Sequence, residues 1–320
     1  MRMELSEPAI QPYLPIQGVS PYTSYHYSIN PLSIFLLITI TYSIPSIIIL
    51  FRLIIFHLQS KKLGVIFNAF VQMQLLVTLH GLSDFLAIRI PSTGLITRYC
   101  ADKDPQLILR LISLSFYGTS HSCQLLTAMF CIMRVVILYC QVFVREKCES
   151  WFNTCSLITI LISFLFALPQ FLSEAVCLQL DHPFPFGSLV ILSMFHYGNL
   201  ISFNFTYFLF TSIIMLAILI SSYLMFRKLG ERRKLSVIAK SSYNMKAEKT
   251  LSVTIILILI PLVFNQVMAI GEILNHPLLS YLVLIRPVIE DWRIHIVTLY
   301  FFYTHPALKQ PKIAVIKSTM

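Results

Sequence analysis

Polar and charged side chains are scarce in this chain, and several of them are spaced for contact on a helix. His80 and Asp84 stand four residues apart and continue a stripe begun by Asn68 and Gln72. Neighbours four apart share a helix face, although the stripe turns slowly around the axis. Three readings of His80 and Asp84 stay open: hydrogen bonds between helices, one wall of a ligand pocket, or two metal ligands of a membrane hydrolase. A catalytic metal needs more ligands and a nucleophile, so the third reading is the weakest and no metal is expected. A second patch runs Tyr117-Gly118-Thr119-Ser120-His121-Ser122-Cys123-Gln124. Tyr117, His121 and Gln124 join His80 and Asp84 as candidates for ligand contact, against plain hydrogen bonding in a core. Gly118 and the small hydroxyls suit a helix that others approach closely. Arg134, in Cys131-Ile132-Met133-Arg134-Val135-Val136, must either snorkel to an interface or find a partner. Arg286, Glu290, Asp291 and Arg293 form the densest charge cluster. Arg286 with Glu290 and Glu290 with Arg293 are spaced to pair on one helix face, which makes a structural ion cluster the leading reading and a switch the second.

These residues lie within an overwhelmingly apolar chain. Hydrophobic residues make up 57% of the 320 and charged residues 12%, with a mean hydropathy of +0.76. A helix of ~20 apolar residues spans the ~30 Å hydrocarbon core of a bilayer. Seven such segments can be marked: Leu32–Phe56, Gly64–Ile88, Leu107–Cys140, Phe152–Leu172, Asn199–Phe226, Leu251–Ile270 and Ser280–Tyr303. The expected fold is therefore an all-α membrane protein, a seven-transmembrane helix bundle over residues 32–303. A short tail without clear structure, residues 1–31, precedes it, and residues 304–320 follow. Spans two, three and seven carry the polar residues and should face other helices rather than lipid. Prolines 45, 169, 261 and 287 fall inside spans and favour kinks. The sequon Asn204-Phe205-Thr206 lies within span five, out of reach of glycosylation. No internal repeat, second domain or cleavable signal peptide is visible.

Loop charge sets the direction of the spans. With the N-terminus outside, the inside segments hold fifteen Lys and Arg, including Lys61, Lys62, Arg145, Lys147, eight between Arg227 and Lys249, and Lys309, Lys312 and Lys317. The outside segments hold four: Arg2, Arg89, Arg98 and Lys103. The N-terminus is thus expected outside and the C-terminus inside, in the cell membrane. The net charge of +10 then faces anionic lipid and acidic partner surfaces and calls for no nucleic acid. Of seven cysteines, Cys123, Cys131 and Cys155 fall in spans, and Cys140 and Cys148 fall on the reducing side. Cys100 and Cys177 are the two outside cysteines, so they either form one disulfide or remain two free thiols.

Several stretches resemble the nematode serpentine chemoreceptors of the Srg superfamily, class U above all. They are Tyr42-Ser43-Ile44-Pro45-Ser46, Thr119 to Gln124 through Cys131-Ile132-Met133-Arg134, and Arg286-Pro287 through Asp291-Trp292-Arg293. The last continues as Val297-Thr298-Leu299-Tyr300-Phe301-Phe302-Tyr303-Thr304-His305-Pro306. The resemblance covers roughly Asn30–Lys312. It implies a chemosensory G-protein-coupled receptor that binds a small external ligand within the bundle, signals to a heterotrimeric G protein, and resides in the sensory cilium of chemosensory neurons. The chain departs from rhodopsin-like receptors: Met133 and Val135 flank Arg134 in place of an acid and a Tyr, and span seven ends Tyr303-Thr304-His305-Pro306 rather than Asn-Pro-x-x-Tyr. Only Arg134 carries over, as a contact with the G protein. No Lys lies between Ser280 and Leu308, which rules out an opsin-type retinal there, and no cofactor is expected. The competing classes are a seven-span enzyme or transporter, and a structural or chaperone-like membrane protein. A transporter would often show inverted repeats and Gly-broken spans, but only nine Gly occur.

Epitope tags at Met1 and Met320 test the topology. The N-terminal tag should stain on intact cells and the C-terminal tag only after permeabilisation. Surface staining of the C-terminal tag would overturn the assignment.

Overall fold

The computed structural model describes residues 15–59, 65–102, 106–139, 142–195, 200–235, 242–274 and 279–305, and Leu308. Arg2, Lys61, Lys62, Lys103, Cys140, Lys240, Pro306, Lys309, Lys312 and Lys317 lie outside the described residues. Seven long helices dominate. Spans one to three are Pro31–Gln59, Val65–Asp84 with its extension to Ser92, and Gln106–Tyr139. Spans four to seven are Val142–Leu172, Leu200–Leu235, Ser242–Ile273 and Leu279–Thr304. The first six contain stretches long and apolar enough to cross a membrane. The seventh has 26 residues, about 39 Å of helix, but carries the four charges from Arg286 to Arg293. Span three, with 34 residues, is about 51 Å long and exceeds a bilayer core. The helices run through Pro45, Pro169, Pro261 and Pro287 without a break.

Span three is central, touching spans two, four and five; span seven closes the ring against spans one, two and six. The small residues of span three do what their size allows. A Cβ on Gly118 would stand 2.7 Å from the ring of Phe164, so span four packs directly on that backbone. Thr119, Ser122 and Thr127 turn their hydroxyls back to carbonyls of their own helix, at 2.6, 2.7 and 2.6 Å. The main apolar core joins spans two, three, six and seven, with Phe70 stacked on Phe301 at 3.6 Å between centroids and Phe130 beside them. Outward faces stay apolar, as Leu37, Phe51, Leu165, Phe166, Ile213 and Leu216 show, because their solvent is lipid.

One end of the bundle is capped by a β-hairpin that the sequence reading does not anticipate. Strand β1, Ala175–Gln179, pairs antiparallel with β2, Leu189–Ser193, with Cys177 opposite Ile191. Cys100 and Cys177 are joined by a disulfide with Cα atoms 6.1 Å apart, which ties β1 to the helix Thr97–Asp102 before span three. Gln106, at the start of span three, grips the hairpin backbone twice: its amide donates to Ala175 O at 3.1 Å and its oxygen accepts from Ala175 N at 2.9 Å. The N-terminal tail also departs from expectation. From Pro15 onward it is ordered: Pro15 bridges Leu178, Ile16 N donates to Cys177 O at 3.1 Å, and Ile16 is buried. Tyr22 stacks on Phe186 of the hairpin loop, and the Tyr25 ring covers Gly187, whose φ of +89° suits glycine. Burial raises the hydroxyl pKa of both tyrosines; Tyr27 adds to the effect at Tyr25. Isolated hairpins are marginal in water, so the cap depends on these ties.

Loss of the disulfide should therefore loosen the whole cap. The bridge closes a sequence separation of 77, for which chain entropy gives a stabilisation of about 4 kcal/mol. Cys177→Ser is expected to lower surface expression and the melting temperature of solubilised protein, and mass spectrometry of non-reduced parent should recover the crosslinked peptide.

Candidate functional site

The residues singled out by sequence fall into three layers along the bundle. The slow turn of the span-two stripe explains the separation: each step of four residues overshoots a full turn by about 40°, so Asn68 and Asp84 lie about 160° apart. Asn68 and Gln72 therefore meet span four, where Asn68 Nδ2 and Gln72 Nε2 donate to Asn153 Oδ1 at 2.8 and 2.9 Å. His80 meets span three, with Nδ1 at 3.3 Å from Thr119 Oγ1. Asp84 meets span seven.

The layer nearest the hairpin is ionic and deeply buried. Arg286 Nη1 donates to Asp84 Oδ1 at 2.6 Å, and Arg89 Nε to Asp84 Oδ2 at 2.6 Å. The other edge of Arg89 grips Asp291 with both forks, at 2.9 and 2.8 Å. Tyr42 of span one donates a short hydrogen bond to Asp291 Oδ2, and its ring meets that of His295 edge-on at 5.0 Å. Two guanidiniums and two carboxylates thus alternate, and their charges cancel. The Arg89 and Arg286 guanidiniums also lie over the rings of Phe85 and Phe116, at 4.5 and 5.4 Å.

Two corrections follow. Arg89 is not an outside-loop residue; it is 4% exposed inside the bundle. The cause is a π-helical turn, Phe85–Arg89, inserted where the α-helix of span two would otherwise continue. Five α-helical residues rotate through about 500°, which would leave Asp84 and Arg89 on different faces; the wider turn returns Arg89 beside Asp84. Nor do the span-seven charges pair with one another. Arg286 and Asp291 reach to span two, and Arg293 reaches to span three, where Nη2 donates to Cys123 O at 3.3 Å and Thr127 Oγ1 at 2.5 Å. Among the described residues Arg286 is paired with Asp84, and Arg293 with Cys123 O and Thr127, rather than with Glu290. Bonds to a neighbouring helix meet the buried charges of Arg286 and Asp291 and tie the helices together at once.

The middle layer holds the other candidates. His80 and Tyr117 lie against Phe116, at 5.4 and 5.3 Å between centroids, and Phe203 of span five meets Tyr117 at 5.6 Å. His121 faces Tyr207 and Phe210 of span five, at 6.1 and 5.4 Å. Gln124 Nε2 donates to the Tyr207 hydroxyl at 2.7 Å, while its Oε1, like His121 Nδ1, is buried without a partner among the described residues. His80, Tyr117, His121 and Gln124 are thus brought into one interior layer with span five, whose Tyr207 the sequence reading missed. His80 and Asp84 do not converge on a common point: one is held by Thr119 and the other by two arginines. Among the described residues no group of three His, Cys, Asp or Glu could hold a metal.

The third layer lies at the end away from the hairpin. Arg134 is 2% exposed, and its Nη1 donates to the carbonyl of Leu251 in span six at 2.9 Å. Its guanidinium also lies 5.9 Å from the ring centre of Phe130. That answers the demand for a partner within the protein rather than at the lipid interface.

Seven helices with lipid-suited outer faces, a polar interior between spans two, three, five and seven, and a disulfide-tied cap define a serpentine membrane receptor. The chain belongs to the serpentine type 7TM GPCR chemoreceptor family Sru, whose sequence profile matches residues 16–311. It is 26% identical over 254 residues to Serpentine receptor class U-26 of Caenorhabditis elegans, an alignment that covers 76% of this chain and 85% of that protein.

The ionic layer makes a direct prediction. Asp84→Asn strips two guanidiniums of a shared partner and should cost about 3–5 kcal/mol, as breaking buried ion pairs does. Arg89→Lys keeps the charge but loses the fork and should cost less. Thermal unfolding of the detergent-solubilised variants measures both; an Asp84→Asn variant as stable as the parent would remove the network from its supporting role.

Proposed function

We propose that this chemoreceptor takes a small external molecule into the layer of His80, Tyr117, His121 and Gln124 and signals to a heterotrimeric G protein at the end away from the hairpin. Asp84, first grouped with the ligand candidates, acts in this reading as the support behind that layer, since both its oxygens are engaged by arginines. The hairpin end faces outside and the basic segments face the cytoplasm, in keeping with the loop charges and with a disulfide, which belongs to an oxidising compartment. The protein acts by ligand-driven change of shape and not by catalysis. Membership of the wider Srg superfamily and residence in a sensory cilium go with this reading.

The observation that carries the coupling half is the Arg134–Leu251 hydrogen bond. Arg134 belongs to the central span, and Leu251 lies at the same end of span six. Any movement that parts those two ends must break this hydrogen bond and lets the guanidinium turn toward a carbonyl or carboxylate of a partner. The basic residues Arg227 and Lys228 stand at that end of span five, and there Lys228, bonded to Glu231 at 3.0 Å, holds the Glu231 carboxyl below its usual range.

Substitution separates coupling from anchoring. Arg134→Lys keeps a charge without the fork, and Arg134→Ala loses both. Both are expected at the cell surface in parental amounts, with ligand-evoked signalling reduced at least tenfold. Parental signalling by Arg134→Lys would show that the fork is not needed, and failure of Arg134→Ala to reach the surface would assign Arg134 to folding alone.

A further inference from the structure

Spans three and four separate toward the end away from the hairpin. At Gly118 they touch: a Cβ there would stand 2.7 Å from the Phe164 ring. Three turns on, Thr159 Oγ1 still meets Met129 Sδ at 3.1 Å. Beyond that point a cleft of about 390 Å3 opens between them. Met129, Ile132 and Met133 of span three line one side, and Lys147, Trp151 and Cys155 of span four line the other. Trp151 is 71% exposed and Ile132 46%, so the cleft opens on the outer, lipid-facing surface of the bundle. Its size is that of a ligand pocket, commonly about 300–1,000 Å3.

The helices give its depth. Residues 129–136 of span three advance about 10 Å, and residues 147–155 of span four about 12 Å. Half of a hydrocarbon core is about 15 Å, so the cleft follows most of one leaflet. Its chemistry is graded along that depth. The apolar stretch of span four begins at Trp151, and an indole belongs at the membrane–water interface. Cys155, one turn inward, is a free thiol that behaves as a small apolar group. Lys147, one turn outward, brings an ammonium to the rim. Steps of four keep these three near one helix face. Met129 and Met133 are flexible enough to fit an irregular chain, and Phe152, 1% exposed, forms the inner wall.

From core to rim the order is apolar wall, indole, ammonium. A phospholipid has the matching order of acyl chain, ester linkage and phosphate. An ammonium has three donors and meets a phosphate as a point charge, and lipids of net negative charge are favoured further. A sterol would suit the walls but would offer the lysine only a hydroxyl. A second copy docked by this same face would bring its own Lys147 to the rim, cation against cation.

We propose that the cleft between spans three and four is a binding site for an anionic phospholipid, with one acyl chain along residues 129–136 and its phosphate on Lys147. The site rests on the membrane-spanning fold and is independent of the receptor's external ligand.

The test places the full-length receptor in nanodiscs of equal phosphatidylserine and phosphatidylcholine, with a trace of one or the other carrying a diazirine in its acyl chain. Light-driven labelling, mapped by peptide mass spectrometry, locates the chain. In the parent, phosphatidylserine should label residues 129–136 and 151–155 about fivefold more than phosphatidylcholine does, the worth of one lysine at an anionic surface. Lys147→Gln should abolish that preference while total labelling of the two peptides persists, and Lys147→Arg should keep it. Cys155→Phe, which fills the cleft from an exposed position, should lose the labelling of residues 129–136 by both lipids. Excess glycerophosphoserine, the headgroup without chains, should leave the parent's labelling unchanged. The proposal is overturned by equal labelling from the two lipids in the parent, which is ordinary boundary lipid, or by a preference that survives Lys147→Gln. It is overturned equally by displacement with glycerophosphoserine, which would assign Lys147 to a free phosphate. Cholesterol that displaces the label from parent and Lys147→Gln alike would give the cleft to a sterol, and unlabelled receptor pairs in native mass spectrometry would give it to a second copy.

Discussion

A charge taken out of water must meet its counter-charge, and inside a bilayer there is no second solvent to help. Even insertion scales, which give the lowest figures, set a cost of about 2.5–3.5 kcal/mol for each Asp, Lys or Arg at mid-membrane. The alternating set of Asp84, Arg89, Asp291 and Arg286 meets that demand by joining spans two and seven, and Tyr42 brings in span one. Rotation of any of these helices at the hairpin end would break a paired contact. The opposite end is held differently, by stacked rings such as Phe70 on Phe301 and by the reach of Arg134 to span six. Apolar packing tolerates small slides that ion pairs do not. The molecule therefore has a fixed end and an adaptable end, which suits a device that must hold a pocket steady while its far side changes shape.

The cap extends the fixed end. Ile16, Cys100, Leu109, Cys177, Leu189 and Ile191 form a small apolar cluster of their own beneath the hairpin. Phe184 of the hairpin loop lines a crevice of about 20 Å3 together with Leu36, Ile88, Arg89 and Pro287. The cap thus borders the same crevice as Arg89 of the ion network, and the two supports lie at the same end of the bundle.

The spans were legible because their signal is length. Twenty apolar residues in a row have few other uses, and spans one, two, three, five and seven begin within one residue of their expected starts; spans four and six begin ten and nine residues early and span five ends late, in polar extensions where hydropathy gives no mark. The hairpin was not legible: Ala175–Ser193 mixes short apolar runs with Asp181, His182 and two prolines, too brief to count as spans and too irregular to alternate. The tail from Pro15 was missed for a related reason, since its order comes from the hairpin it pairs with. Within the site, sequence found the right charged residues in span seven but paired them along one helix, because spacing reports only local neighbours. Arg89 was placed outside because nothing in Phe85–Arg89 announces a change of helical type. Tyr207 was hidden by its surroundings: in the apolar run of span five one more aromatic residue has no distinguishing mark.

That turn at Phe85–Arg89 sets the azimuth of everything after it. Along an α-helix each residue advances the angle by about 100°, so a helix keeps phase as a screw thread does. The wide turn takes one residue without advancing the screw, and the chain beyond it arrives at an angle that a continuous helix would miss. Arg89 enters the interior on that offset, and Thr93, a turn later, arrives where its carbonyl accepts the side-chain amide of Asn30 at 2.8 Å. A sequence comparison scores a one-residue gap here as a trivial event. In the geometry of this bundle it is a rotation of roughly a quarter-turn, and a relative that lacks the extra residue would present a different face to its seventh helix even if every side chain were conserved.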